Sequence, residues 1–142
     1  MSNPDRPNAP GYLANLMARL FHEVSGQGLS PLGIRPEQFP VLVELWFGGG
    51  ATPATLRRSL ELDASGVGAL LATLAEDGLI EAVPGDEAPL VLTAKGASAR
   101  DAAVASARRA NQVAVAVLSE DEMSQFLATM NRVIDALQAA KA

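Results

Sequence analysis

Apolar residues recur at helical spacing along most of the chain. Leu13, Leu16, Met17, Leu20, Phe21 and Val24 follow an i, i+3, i+4, i+7 stripe, which predicts an amphipathic helix from Gly11. Gly26 and Gly28 are expected to end it. After a loop from Ser30-Pro31 to Arg35-Pro36, a second helix is predicted to carry Phe39, Leu42, Val43, Leu45 and Trp46. Pro40 falls in its first turn, where a missing N–H costs little, and Gly48-Gly49-Gly50 breaks it. Thr52-Pro53 reads as an N-cap followed by Pro at N1, opening a short helix with Leu56 and Leu60. Leu62-Asp63 makes a tight turn, with Asp63 as N-cap of a fourth helix. That helix buries Val67, Leu70, Leu71 and Leu74 on one stripe and stops at Gly78.

The period then changes. Leu79–Val83 and Leu90–Leu92 are short apolar runs around Pro84-Gly85-Asp86-Glu87-Ala88-Pro89, a pattern that predicts a β-hairpin. Thr93 is expected to cap a long Ala-rich fifth helix reaching about Leu118. Ser119 and Glu122 form a capping box for a last helix with Met123, Phe126, Leu127, Met130, Val133, Ile134 and Leu137 on its apolar side. The expected fold is mainly α with a small β-wing: six helices and one β-hairpin, a winged helix-turn-helix flanked by long helices. The expected organisation is a flexible N-terminal tail over 1–10 and a single domain over 11–142. Within it the winged helix-turn-helix spans about 36–93, between dimerisation helices at about 11–27 and 93–140. The flanking helices are too long and apolar for one chain of this size to cover, so a homodimer is expected.

Composition narrows the chemistry. The chain has no cysteine, which removes disulfides, thiolate zinc sites and thiol redox sensing. One histidine, His22, cannot make a metal site alone. No Gly-rich phosphate loop, nucleophile elbow or paired acid/base stands out, so an enzyme is not expected, nor a cofactor. No apolar run approaches the ~20 residues of a membrane span, and the Pro-rich start lacks a signal peptide's apolar region. A cytoplasmic protein with no membrane partner is the expectation. The formal net charge of -5 provides no global basic field for nucleic acid.

The stretch from Ala51 to Ile80, through Thr52-Pro53, Leu56, Leu60, Asp63, Val67, Leu70, Leu74 and Gly78-Leu79-Ile80, resembles the helix-turn-helix of the MarR family of transcriptional regulators. Leu90-Val91-Leu92-Thr93-Ala94-Lys95-Gly96 resembles that family's Leu-Thr-x-Lys-Gly junction between wing and fifth helix, and the likeness covers roughly 11–140. The resemblance implies a ligand-responsive repressor binding a pseudo-palindromic operator in double-stranded DNA as a homodimer. It implies DNA contacts at Thr52, Arg57, Arg58, Ser65, Gly66, Gly68, Ala69, Thr73 and Lys95. It also implies a cleft for a small apolar or phenolic effector, for which Tyr12, Arg19, His22 and Trp46 are the candidates.

The departures from the family pattern open a second reading. Gly66 and Gly68 stand where Ser or Thr is usual, Ala69 and Thr73 where Arg is frequent, and the wing has no Arg after Gly85-Asp86-Glu87. From Ser59 to Ala94 there is no Lys or Arg, while Glu61, Asp63, Glu76, Asp77, Glu81, Asp86 and Glu87 are acidic. Phosphate neutralisation supplies most non-specific affinity, and little is visible here. The alternative is a protein-interaction or ligand-sensing module that kept the fold and weakened or lost DNA. Arg57, Arg58, Lys95 and Arg100 are either phosphate contacts or solvated charges; His22 and Trp46 are either effector contacts or a surface and a core residue. Glu87, Ala69 and Asp77 are expected to be exposed enough for cheap substitution.

Overall fold

In the computed structural model, residues 3–141 are described, and seven α-helices account for most of them. Helix α1 runs Pro10–Leu29, α2 Phe39–Phe47, α3 Pro53–Ser59, α4 Ala64–Glu76, α5 Ala94–Ser98, α6 Arg100–Val115 and α7 Glu120–Lys141. Two 3₁₀ turns, Ser30–Leu32 and Pro36–Gln38, link α1 to α2. Of the expected tail, residues 3–9 are exposed and non-helical, Pro10 already opens α1, and Met1 and Ser2 lie outside the described residues.

The caps fall where the side chains allow them. Thr52 Oγ1 accepts from Thr55 N at 3.2 Å while Thr55 Oγ1 accepts from Thr52 N at 2.9 Å. Asp63 caps α4 through Gly66 N at 2.7 Å, Thr93 caps α5 through Gly96 N at 3.1 Å, and Ser119 receives Glu122 N at 3.1 Å. Each satisfies an N–H that the first helical turn cannot pair internally. In return Glu122 accepts from the Ser119 backbone N–H and from its side chain, which holds that carboxyl below its ordinary range. Gly78 closes α4 at φ 73°, the left-handed conformation that a helix stop favours.

Three expectations are corrected. Gly26 and Gly28 do not stop α1, which continues to Leu29 because that side chain, 1% exposed, is drawn into the core. Gly28 lies close against Ser106 of α6, a contact that leaves almost no room for a side chain. The fifth helix is not continuous: it breaks at Ala99 into α5 and α6, just after Gly96 gives its carbonyl to the Trp46 indole N–H at 2.9 Å. Finally, no β-strand forms among the described residues. The wing arms meet at one isolated antiparallel bridge, Ile80 with Leu92.

The wing's hydrogen bonds explain that last result. Glu81 N donates to Val91 O at 2.8 Å and Thr93 N to Leu79 O at 3.1 Å, but Leu90 N reaches instead to Ala51 O at 2.8 Å. Ala54 N donates to Asp86 O at 3.1 Å. The return arm is thus shared between the outgoing arm and the loop before α3. Pro84 and Pro89 have no N–H to extend a ladder.

The core sits under the helix-turn-helix. Leu29, Ile34, Val41, Leu42, Leu56, Val67, Leu71, Leu74, Leu79 and Ile80 form one buried cluster, with Ala99 and Ala103 joining from the α6 end. Helix α1 packs along α6, and α3 along α4. Helix α7 differs from the rest: it buries no residue, and its stripe Met123, Leu127, Ile134 and Leu137 is exposed. No helix among the described residues is long and apolar enough to cross a membrane.

Candidate nucleic-acid interface

The buried stripe of α4 fixes what its opposite face presents. With Val67, Leu71 and Leu74 in the core, Ser65, Gly68, Ala69, Ala72 and Glu76 are left exposed. This is the face a recognition helix would turn to a major groove. Apart from Glu76 at its C-terminal end, the face is small and uncharged. Sequence reasoning named Ser65, Gly68 and Ala69 but not Ala72, whose place follows from the same 3.6-residue period.

The two glycines of α4 are not equivalent. A Cβ at Gly66 would meet Asp63 Oδ1 at 3.2 Å and Leu62 Cβ at 3.5 Å, so the closeness of the N-cap gives Gly66 a local reason. Gly68 has open space around it, and nothing in the fold requires a glycine there. Thr73 lies between the faces, half-buried. Its hydroxyl donates to Leu70 O at 2.8 Å and accepts from Gln38 Nε2 at 3.2 Å.

The cations expected to meet phosphate divide in two groups. Arg58 and Arg100 are exposed; Arg100 also meets Asp101 at 3.1 Å and lies 5.9 Å from the centre of the Phe47 ring. Arg57 and Lys95 are engaged within the protein. Arg57 grips the wing carboxylate of Asp86 with both guanidinium nitrogens, Nη1 to Oδ1 at 2.5 Å and Nη2 to Oδ2 at 3.0 Å. That hydrogen-bonded pair raises the arginine's proton affinity and holds the Asp86 carboxyl below its ordinary range. Lys95 Nζ donates to Asp77 O at 2.7 Å, closing the last turn of α4.

Asp77 is the centre of a polar hub that the sequence did not disclose. Its Oδ2 accepts from Gln38 Nε2 at 2.8 Å, and Arg35 reaches both oxygens, Nε to Oδ2 at 3.1 Å and Nη2 to Oδ1 at 3.2 Å. Gln38 is fully buried, and its Oε1 accepts from Arg35 N at 2.9 Å. The Gln38 hydrogen bond, then Arg35, then the charge of Lys95 hold the Asp77 carboxyl below the usual carboxylate range. Asp77 therefore ties the end of α4 to the turn before α2 and to α5. The expectation that it is a freely replaceable surface residue is corrected: its side chain is 23% exposed and fully hydrogen-bonded.

The four effector candidates are not gathered in one place. Tyr12, Arg19 and His22 share an exposed face of α1. Trp46 instead donates to Gly96 O and meets the Phe39 ring edge-on at 5.9 Å, as a core residue of α2. The large cavity, about 650 Å³, opens along a different face of α1, between Leu13, Met17, Leu20 and Val24 of α1, Val113 of α6 and Phe126 of α7. Its walls are almost wholly apolar. Among the described residues no three potential ligands are placed to hold a metal ion.

Comparison with known proteins agrees with this architecture. The model of the MarR family matches residues 32–88, the segment from the end of the first 3₁₀ turn to the tip of the wing, stopping before its return arm. No curated protein sequence matches the chain. Its fold is similar to the PcaV transcriptional regulator from Streptomyces coelicolor in complex with its natural ligand, at 26% identity over 96% of this chain and 99% of that one, TM-score 0.78. It is similar to S. aureus MepR in its DNA complex, at 23% identity over 91% and 96% of the two chains, TM-score 0.78. It also resembles the organohalide-sensing regulator RdhR in its 2,4-dichlorophenol-bound form, at 20% identity over 96% and 86%, TM-score 0.78. The helix-turn-helix segment thus matches the MarR family in sequence, and the fold from α1 to α7 is similar to that of MarR-type regulators.

Proposed function

We propose that this protein is a DNA-binding transcriptional regulator that acts as a homodimer, a ligand-responsive repressor of a pseudo-palindromic operator. The observation that carries the reading is the placement of α4: its apolar stripe is locked in the core, its outer face is free, and its N-terminus is capped beside α3. DNA-bound MepR supports the same use of the fold. Thr52, Ser65, Gly66, Gly68, Ala69 and Thr73 would line the groove side, with Arg57, Arg58 and Lys95 toward the phosphates. Two copies would place their α4 helices in successive major grooves about 34–36 Å apart. The wing, with arms pinned at Ile80 and Leu92, would follow the minor groove.

Binding to the DNA upstream of its own gene, measured by fluorescence anisotropy across a salt series, tests this. With Arg57 held by Asp86, Arg58, Lys95 and Arg100 in each of two chains predict a log–log salt slope of magnitude no more than about 5. Sequence-specific binding with that shallow slope supports the reading. Absence of salt-sensitive binding to any duplex would favour a protein-interaction or ligand-sensing module, which the acidic, arginine-free wing and neutral α4 face also suit.

The homodimer is proposed from α1, α6 and α7. Leu137 is 66% and Val117 84% exposed, and Met123, Leu127, Val133 and Ile134 of α7 are exposed as well. A second copy laid on these helices would bury more than about 2,000 Å² in total, as obligate dimers do. Light scattering at micromolar concentration is expected to give a dimer, and Ile134→Glu with Leu137→Glu to dissociate it. A folded wild-type monomer would sink the proposal.

For the effector we propose a small apolar or phenolic molecule, as the dichlorophenol-bound relative suggests. Its site would lie between the dimer-forming and DNA-binding parts, with Tyr12, Arg19 and His22, which share an exposed face of α1, as candidate contacts; Trp46, turned to Gly96, would stand apart from them. Coupling to DNA of about 1–3 kcal/mol is typical of such switches.

A further inference from the structure

We propose that the wing carries its own phosphate mimic: the Asp86 carboxylate occupies Arg57, so that the protein's DNA surface is electrostatically masked until that pair opens. The inference deepens the DNA-binding reading and rests on it.

The pairing is built rather than incidental. A carboxylate gripped by two guanidinium nitrogens offers the same fork of oxygens that a phosphate would offer. The aspartate is positioned by its backbone, since Asp86 O accepts from Ala54 N at 3.1 Å in the first turn of α3. A turn, Ala88 N to Gly85 O at 3.2 Å, holds the loop on its other side. Arg57 side-chain exposure is 34% and that of Asp86 is 55%, so an incoming phosphate can reach the pair. Glu87, next along the wing, adds a second negative charge near the same arginine.

The location matters because cations are scarce. No Lys or Arg lies between Ser59 and Ala94, so Arg57 and Arg58 are the cations nearest α4 in sequence on its N-terminal side. With Asp86 in place, one of those two is neutralised. Exposed ion pairs add little to stability, so holding the fold together is a poor account of this one. Masking lowers non-specific attraction to every phosphate, while a site with the right groove shape can still draw the wing aside. The Asp86 carboxyl titrates below its ordinary range, so the mask is charged across the physiological pH range.

The test uses the full chain, a random duplex and the DNA upstream of its gene. Asp86→Asn is expected to tighten random-duplex binding about tenfold at ~50 mM salt and to steepen the salt slope by about 1–2, one regained phosphate per chain. Arg57→Ala is expected to cost at least about fivefold more affinity in the Asp86→Asn background than in the wild type. Glu87→Gln, which removes a charge but not the grip, should leave the cost of Arg57→Ala as it is in the wild type. Asp86→Ser, which keeps the same backbone bond, guards against misfolding of the first variant. Unchanged or weaker binding by Asp86→Asn and Asp86→Ser, or an equal cost of Arg57→Ala in both backgrounds, would overturn the mask while leaving the DNA-binding reading intact. If no form binds either duplex, the DNA-binding reading fails. The mask is then judged by titrating inorganic phosphate against the Arg57 Nε–H NMR signal. A response in Asp86→Asn but not in the wild type supports it, and equal responses overturn it.

Discussion

Gly96→Ala lowers the unfolding free energy by about 3 kcal/mol, the upper range for forcing an atom into a packed site, and the melting midpoint by roughly 10 °C. Gly96 is buried where α5 starts beneath the end of the α4–wing connection. A Cβ there would sit inside contact distance of the Leu79 carbonyl oxygen, 3.1 Å from the Leu79 carbonyl carbon and 3.2 Å from Leu92 Cδ2. Two of those atoms are backbone and cannot swing aside. Relief would require α5 to shift, which would pull the Gly96 carbonyl from the Trp46 indole and the Gly96 N–H from Thr93. Trp46 is the only tryptophan, so its fluorescence reports the loss directly. Gly68→Ala is the internal comparison: open space surrounds it in mid-helix, and it should stabilise by up to about 1 kcal/mol. Gly96→Ala within about 0.5 kcal/mol of wild type in urea unfolding would contradict the packing account.

Asp77→Ala is expected to cost about 2 kcal/mol. The largest part is what it leaves behind. Gln38 is fully buried, and its Nε2 would keep only the 3.2 Å contact to Thr73, while Arg35 would lose both of its carboxylate bonds. Asp77→Asn retains an acceptor for Gln38 but no charge, so it separates hydrogen bonding from ion pairing. The pH dependence has a definite sign. The carboxyl is held below its unfolded value, so its contribution is present above the unfolded pKa of about 3.9 and is lost as pH falls through the lower folded pKa. Wild type should therefore be more stable than Asp77→Asn at pH 7 and lose that advantage below about pH 4. A difference that stayed constant from pH 7 to pH 2 would rule out an ionised Asp77 as its source.

Both residues were visible in the sequence for the wrong reason or not at all. Gly96 was recognised as part of a family-like junction, but the need for glycine is a contact with Leu79, seventeen positions earlier in number and adjacent only in space. Asp77 read as a surface acid near a helix end, since nothing local shows that Arg35 and Gln38 converge on it.

What the sequence determined by itself is the local part. Helix starts at Thr52, Asp63, Thr93 and Ser119 follow from side chains that reach N–H groups two or three residues away. The α4 stripe of Val67, Leu71 and Leu74, and so its outer face, follows from the 3.6-residue period. The order of elements was enough to suggest the family. Tertiary structure decided the rest, because those outcomes depend on competition between distant groups. Burial of Leu29 carried α1 through two glycines, and Ala51 took the Leu90 amide that a regular hairpin would have used. Trp46 turned to Gly96 rather than to the α1 face of His22. Arg57 found Asp86 across twenty-nine positions of sequence, so one of the two arginines of α3 is already paired within the fold.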